Sequence, residues 1–218
     1  LARVTYYLPL ISPTIISINI LYLMRHPFRY VSTFMRVVFM NIKSASFLIK
    51  SVCLWPQMAG FAWLAKKSRI SQVHGQWATH PATFAFVISK LNNLPFSFTG
   101  HAHDIYLDTT GLKQKIKEAR FVTTCTADNK RYLLKLFNSP EMASKIIVNY
   151  HGVDLEKFNA SNYEPLAMNN EPLRILSVGS LLECKGFDIL IDACRILKEQ
   201  GIDFECTIAG GGPLEQEL

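Results

Sequence analysis

Residues 173–213 read LRILSVGSLLECKGFDILIDACRILKEQGIDFECTIAGGGP, and the order of patterns in this stretch decides the fold. A β-prone run at Leu173 to Val178 gives way to a polar loop that ends in Lys185-Gly186. A helical pattern follows over about Phe187 to Glu199, with Ile189, Leu190, Ala193 and Leu197 placed on one face. A second strand, Phe204 to Ala209, runs into Gly210-Gly211-Gly212-Pro213. Strand, helix and strand with connections of this length make a parallel βαβ unit with a right-handed crossover.

The same alternation holds upstream. Ile70 to His74 reads as a strand and Pro81 to Leu91 as a helix with Phe84, Val87 and Ile88 on its apolar face. Strands at Pro95 to Thr99, Phe121 to Cys125 and Lys145 to Tyr150 are separated by helical patterns at Gly111 to Ala119 and Ala127 to Phe137. Thr126 is suited to start the last of these helices, because its hydroxyl can accept an unpaired N–H of the first turn. Such alternation predicts an α/β protein with a parallel sheet and helices on its faces. Between the two alternating regions, residues 159–172 hold four asparagines, two prolines and no apolar periodicity, which predicts a linker. The expected organisation is a first domain over 1–158, a linker over 159–172 and a second domain that begins at 173–218. A lone strand–helix–strand unit cannot cover both faces of its sheet. That, with Leu1 standing where a start methionine would be, leads to the expectation of a fragment cut at both ends.

The 218 residues are 49% apolar and 18% charged, the balance of a globular chain. A formal charge of +6 suits phosphate-bearing ligands or an anionic membrane surface. Nucleic acid is disfavoured, because no zinc-finger spacing, RNP signature or long basic run is present. Cys53, Cys125, Cys184, Cys194 and Cys206 are scattered and odd in number, which favours reduced, mostly buried thiols in a cytoplasmic protein. No residue from Val4 to Met24 is charged, but Pro9, Pro13 and several polar residues interrupt the run. The second uncharged run, Ser51 to Ala65, is short for a membrane span and contains Pro56 and Gln57. Between and beside these runs Arg25, Arg29, Arg36, Lys43 and Lys50 interleave with Phe28, Tyr30, Phe34, Phe39 and Phe47. That mixture suits peripheral docking on anionic headgroups at the cytoplasmic membrane face; solvated helix faces explain the charges as well.

In open parallel sheets, ligands bind at the carboxyl ends of the strands. Four polar, glycine-bearing segments fall there: Thr99-Gly100-His101-Ala102-His103-Asp104, His151-Gly152-Val153-Asp154, Gly179 to Gly186, and Ala209 to Pro213. The third joins a strand to a helix through Lys185-Gly186, so backbone N–H groups, the positive end of the helix and a cation converge where an anion would sit. It is not a Walker A loop, because the G-x-x-x-x-G-K-[ST] order is absent.

Taken together, these segments resemble the GT4-type retaining glycosyltransferases. The carriers of the likeness are Pro95 to Tyr106, His151-Gly152-Val153-Asp154 with Phe158, Ser177-Val178-Gly179 with Lys185-Gly186-Phe187, and Gly210-x-Gly212-Pro213. The likeness runs from about Val73 to the end and is nearest to enzymes of exopolysaccharide, colanic-acid or lipopolysaccharide assembly. It implies a GT-B architecture, a Rossmann-like acceptor domain facing a second Rossmann-like domain. It also implies a nucleoside-diphosphate sugar donor, a glycan or lipid-linked acceptor, and transfer with retention and no metal or other cofactor. His101 and Lys185 then take catalytic roles, the second by neutralising the leaving diphosphate. Gly179, Ser180, Lys185, Gly186, Gly210 and Gly212 would lie against the donor phosphates. His103, Asp104, His151, Gly152 and Asp154 would line the cleft.

The chain departs from the family at Ser180, where an arginine is usual; serine offers one neutral hydrogen bond in place of a charged fork. It also stops before the family's paired glutamates, so the polypeptide by itself is expected to be inactive. Two other classes stay open. One is a noncatalytic nucleotide-sugar-binding or scaffold relative, motivated by Ser180. The other is a metal-dependent hydrolase built on His101, His103 and Asp104, with His74, His80 and His151 as further candidate ligands.

Overall fold

The computed structural model describes residues 8–157 and 172–218. Phe158 and all but the last residue of the expected linker therefore lie outside the described residues. The chain divides into two compact units between Val153 and Asp154.

The first unit opens with three helices, α1 (Pro13–Arg25), α2 (Pro27–Asn41) and α3 (Ala45–Lys67). Ser12 caps α1 by accepting the Ile15 N–H at 3.2 Å, and Pro13 occupies the first turn, where its missing N–H costs nothing. His26 separates α1 from α2 in a non-helical conformation, as a residue before proline is steered to be. The polar residues of these apolar helices are used to join them. Trp55 Nε1 donates to Tyr30 Oη at 2.7 Å, Tyr30 donates to Asn19 Oδ1 at 2.7 Å, and Asn19 Nδ2 donates to the Pro56 carbonyl at 3.1 Å. Separately, Tyr22 Oη donates to Asn92 Oδ1 at 3.0 Å, and Asn92 Nδ2 donates to the Ala62 carbonyl at 2.6 Å.

The uncharged run Ser51 to Ala65 lies inside the longer helix α3. The helix continues through Pro56 for 23 residues, long and apolar enough to cross a membrane by length and composition. Trp55, Met58, Ala59, Gly60 and Ala62 are nonetheless buried in it, and it packs on α1, α2 and α4.

A parallel sheet follows, with β1 (Val73–Gly75), α4 (His80–Asn92), β2 (Phe96–Gly100), α5 (Ala102–Tyr106), α6 (Leu112–Glu118), β3 (Phe121–Thr124), α7 (Ala127–Phe137), α8 (Pro140–Ala143) and β4 (Ile146–Val148). The strand order is β1-β2-β3-β4, and Gly100, Thr124 and Val148 stand in register at the carboxyl edge. In β2 the alternation puts Phe96 and Phe98 on the face where Phe96 meets Phe86 of α4 edge-on at 5.9 Å. Ser97 and Thr99, on the opposite face, meet the two ring nitrogens of His74 at 2.8 and 3.0 Å.

The second unit is β5 (Leu173–Val178), α9 (Phe187–Glu199) and β6 (Phe204–Ala209), with the strands parallel over their whole length. α9 turns Phe187, Leu190, Cys194 and Leu197 away from solvent, at spacings of three, four and three. Leu190 and Leu197 of the expected face are among these, while Ile189 and Ala193 are exposed in this two-stranded unit.

Two further expectations are corrected. None of the five cysteines is fully buried: Cys53 and Cys184 are exposed and the others half-buried, all as free thiols. The basic and aromatic stripe is also divided by packing. Tyr30 and Phe34 turn edge-on to Trp55 at 5.2 and 5.0 Å, and Phe47 stacks on His80 at 4.8 Å. Only Phe28 and Phe39 of the five aromatics remain exposed.

Candidate functional site

β2 delivers His101 to the carboxyl edge of the sheet. The next residues wind into the short helix α5 because Asp104 bonds backward: its carboxylate accepts the His101 N–H at 2.6 Å and the N–H of Ala78. Asp104 is buried, so it fixes the β2 exit against the β1–α4 turn and does not line an open cleft as expected from the sequence. Lys115 of α6 clamps the same turn, with Nζ donating to the Ala78 and Thr79 carbonyls. Burial lowers the pKa of this lysine to about 8, against the opposing pull of Asp104 and Asp108.

The ring of His101 lies against Trp77 at 4.5 Å and stacks on His151 at 5.6 Å with an interplanar angle of 7°. Its Nε2 is shielded from solvent and has no hydrogen-bond partner among the described residues. Cys125, the residue after β3, completes the group: ligand atoms of His101, Cys125 and His151 lie within 4.8 Å of one another. Thus His101 and His151 come together, while His103 sits exposed on α5 and Asp104 is committed to backbone amides. The trio His101, His103 and Asp104 is not assembled as a metal site. His74 bonds Ser97 and Thr99 through both ring nitrogens, and His80 stacks on Phe47; neither lies in the His101–Cys125–His151 group. Burial, Lys115 and Lys50 all lower the pKa of His80, which favours its neutral ring. Gly152 meets open space, and Asp154, the first residue of the other unit, pairs with Lys157 at 3.4 Å. Sequence reasoning missed Cys125 and Trp77. Cys125 could have been found as the third residue at the same sheet edge, directly after a strand.

In the second unit the loops after β5 and β6 lie against each other. Gly179 N–H donates to the Ala209 carbonyl at 3.0 Å, and Leu181 N–H to the Gly211 carbonyl at 3.1 Å. A Cβ on Gly210 would fall 1.8 Å from the Gly179 carbonyl oxygen, so glycine is required there for packing alone. Ser180 is exposed, and Glu183–Lys185 make one 3₁₀ turn. Gly186 takes φ +66°, a left-handed conformation that starts α9 abruptly and leaves Lys185 exposed beside the helix's first turn. Glu183 and Asp188 flank it, so any anion recognition here depends on the direction of Lys185 and of the N–H groups, not on net charge.

A separate groove of about 690 Å³ in the first unit lies between α2 and the start of α6, lined in part by Arg36, Phe39, Met40, Lys43, Lys113 and Gln114. Arg36 pairs there with Glu118 at 2.6 Å.

Both units are parallel α/β structures whose polar loops gather at the carboxyl ends of the strands, the class in which ligands are held at the sheet edge. Residues 160–218 match the family described as glycosyl transferases group 1. The chain is 51% identical over 76 residues to the amylovoran biosynthesis glycosyltransferase AmsK of Erwinia amylovora, and the match covers 35% of the chain and 18% of the relative. It is 45% identical over 74 residues to the putative colanic acid biosynthesis glycosyltransferase WcaL of Escherichia coli strain K12, over 34% of the chain and 18% of the relative. The WcaL of Salmonella typhimurium strain LT2 is 42% identical over 74 residues, with the same coverage. The chain thus spans less than a fifth of the length of these curated relatives.

Proposed function

We propose that this chain is part of a retaining, nucleoside-diphosphate-sugar-dependent glycosyltransferase of exopolysaccharide assembly. Residues 1–158 belong to its acceptor-side domain, and 173–218 open its donor-binding domain. The observation that carries this reading is the exposed Lys185 in the loop after β5, two residues before α9 begins, within a segment matching group 1 glycosyltransferases.

As the glycosidic bond to the donor breaks, negative charge grows on the departing diphosphate. Lys185 and the amides of the Gly179–Gly186 loop stabilise that charge more than they stabilise the ground state, which lowers the barrier. His101 donates a hydrogen bond to the reacting sugar or diphosphate, and its contacts with Trp77 and stacked His151 hold the ring in place. Gly210 and Gly212 keep the β6 loop close to the β5 loop, so both approach the donor together. With lysine and amides neutralising the diphosphate, no metal is required for this step. The acceptor is a glycan or a lipid-linked glycan. Exposed Phe28 and Phe39 beside Arg29 and Lys43 support peripheral contact with an anionic cytoplasmic membrane face.

The test is sugar transfer by the complete protein that contains this chain, with a chelator present and the product's anomeric configuration read by NMR. Retention of the donor's configuration without added metal is expected. Inversion, or an absolute metal requirement, would sink the mechanism. Ser180 motivates a second reading, a relative that binds nucleotide sugar without transferring it; tight nucleotide binding with no transfer to any glycan acceptor would favour that one.

A further inference from the structure

The geometry points to a transition-metal site formed by His101, Cys125 and His151, with a preference for zinc, distinct from any metal requirement of sugar transfer. Each residue follows a different strand at one sheet edge. His101 and Cys125 come directly after the register partners Gly100 and Thr124, and His151 three residues after Val148. Their donor atoms already lie within 4.8 Å of one another. A tetrahedral zinc ion would draw them to about 3.4–3.6 Å, from metal–nitrogen and metal–sulfur bonds of about 2.0–2.1 and 2.3 Å. His151, exposed and outside any helix or strand, supplies the adjustment.

Two independent observations point to a ligand. The first is His101 Nε2, shielded from solvent without a hydrogen-bond partner among the described residues, a state that a metal bond would satisfy. The second is the support behind the sulfur. Tyr106 Oη donates to Asn129 Oδ1 at 3.0 Å, which turns the amide so that Nδ2 donates to Cys125 Sγ at 3.4 Å. Asn129 is buried, and Thr126 Oγ1 accepts its backbone N–H at 3.1 Å, so this donor is fixed in place. A hydrogen bond donated to sulfur stabilises a metal-bound thiolate, the usual work of groups behind a metal ligand. Two imidazoles and a thiolate form a borderline-soft set suited to zinc, and they leave a fourth position for water or another oxygen ligand.

On binding, the Cys125 thiol releases its proton to solvent and a sulfur–metal bond forms; nothing is oxidised or reduced. If His101 serves sugar transfer as proposed above, zinc at this site withdraws it and inhibits the enzyme. That consequence rests on the proposed function, but the binding itself does not.

The test is titration of the chain with Co²⁺, a spectroscopically visible stand-in for zinc. One equivalent is expected to give tetrahedral visible bands and a thiolate-to-cobalt charge-transfer band, both displaced by Zn²⁺. Cys125→Ser should abolish the charge-transfer band, and His151→Ala should weaken binding by about a hundredfold, with both variants folded by circular dichroism. Absence of the charge-transfer band in the folded wild-type chain overturns the site. So does its survival in Cys125→Ser, which would assign it to another cysteine. Because no readout involves transfer, failure here leaves the glycosyltransferase reading standing, and the reverse holds as well.

Discussion

Lys115 shows how one buried cation organises the approach to the candidate site. Its ammonium is withdrawn from water and offset by two carbonyls and by nearby Asp104 and Asp108, which leaves its pKa at about 8 against 10.5 for a free lysine. The folded state therefore binds fewer protons than the unfolded state between these values, and stability rises with pH across that window. Below about pH 8 the charge is buried at full cost; above about 10.5 the cost is gone. The shift corresponds to a difference on the order of 3 kcal/mol. In denaturant unfolding, the gap between wild type and Lys115→Met should change in this direction from pH 8 to 10.5. A gap independent of pH would show that Lys115 keeps an ordinary pKa. The chain's sequence singles out Asp104 and His101 but not their division of labour. Asp104 is recruited by the N–H of Ala78, 26 residues away, a contact that no local pattern announces. The end of a strand marked Cys125 as an edge residue, but only the register between strands shows that it meets His101.

At the scale of elements, the legible parts are those with local causes. α7 runs over Ala127–Phe137 as its periodicity and the Thr126 cap predict, and β5, α9 and β6 keep the bounds read from their patterns. β1 begins three residues later than Ile70, because Arg69 takes a left-handed turn after α3 and the apolar Ile70 is left in that turn. α5 has five residues, too few for a periodic signal, and depends on Asp104. The loop pair after β5 and β6 gives a prediction of its own. A methyl group at Gly210 meets backbone, not a flexible side chain, so one loop must move. Gly210→Ala should therefore destabilise the strand pair by about 3 kcal/mol in the absence of nucleotide, read as faster amide exchange over β5 and β6. Unchanged protection would mean that the two loops do not approach as closely as described.

Across the whole molecule, the helices of the first unit combine a buried interface with an exposed apolar and basic surface. Phe28 is 90% exposed and Phe39 64%, although three other aromatics expected beside them pack inward. If this surface seats the protein on a membrane, the protein should co-sediment with vesicles containing phosphatidylglycerol, less so as salt screens the attraction. Phe28→Ser with Phe39→Ser should weaken that binding while the core, which uses neither side chain, stays folded. Equal sedimentation of the double variant would remove the surface from the proposal. The parallel sheets and the alternation of strands and helices were readable from the sequence because each crossover repeats one local pattern. The three-helix opening was not readable in detail, since its polar residues, Asn19, Tyr30 and Gln57, act through partners on other helices or distant backbone.

The most direct test of the central claim is the turnover number for sugar transfer by the complete protein, compared between wild type and Lys185→Ala. Lys185 is exposed, so its loss should leave the fold intact. If it neutralises the departing diphosphate, turnover falls by about a hundredfold or more. Equal turnover in the folded variant would contradict the assignment and remove the chemical basis for reading this loop as the donor site.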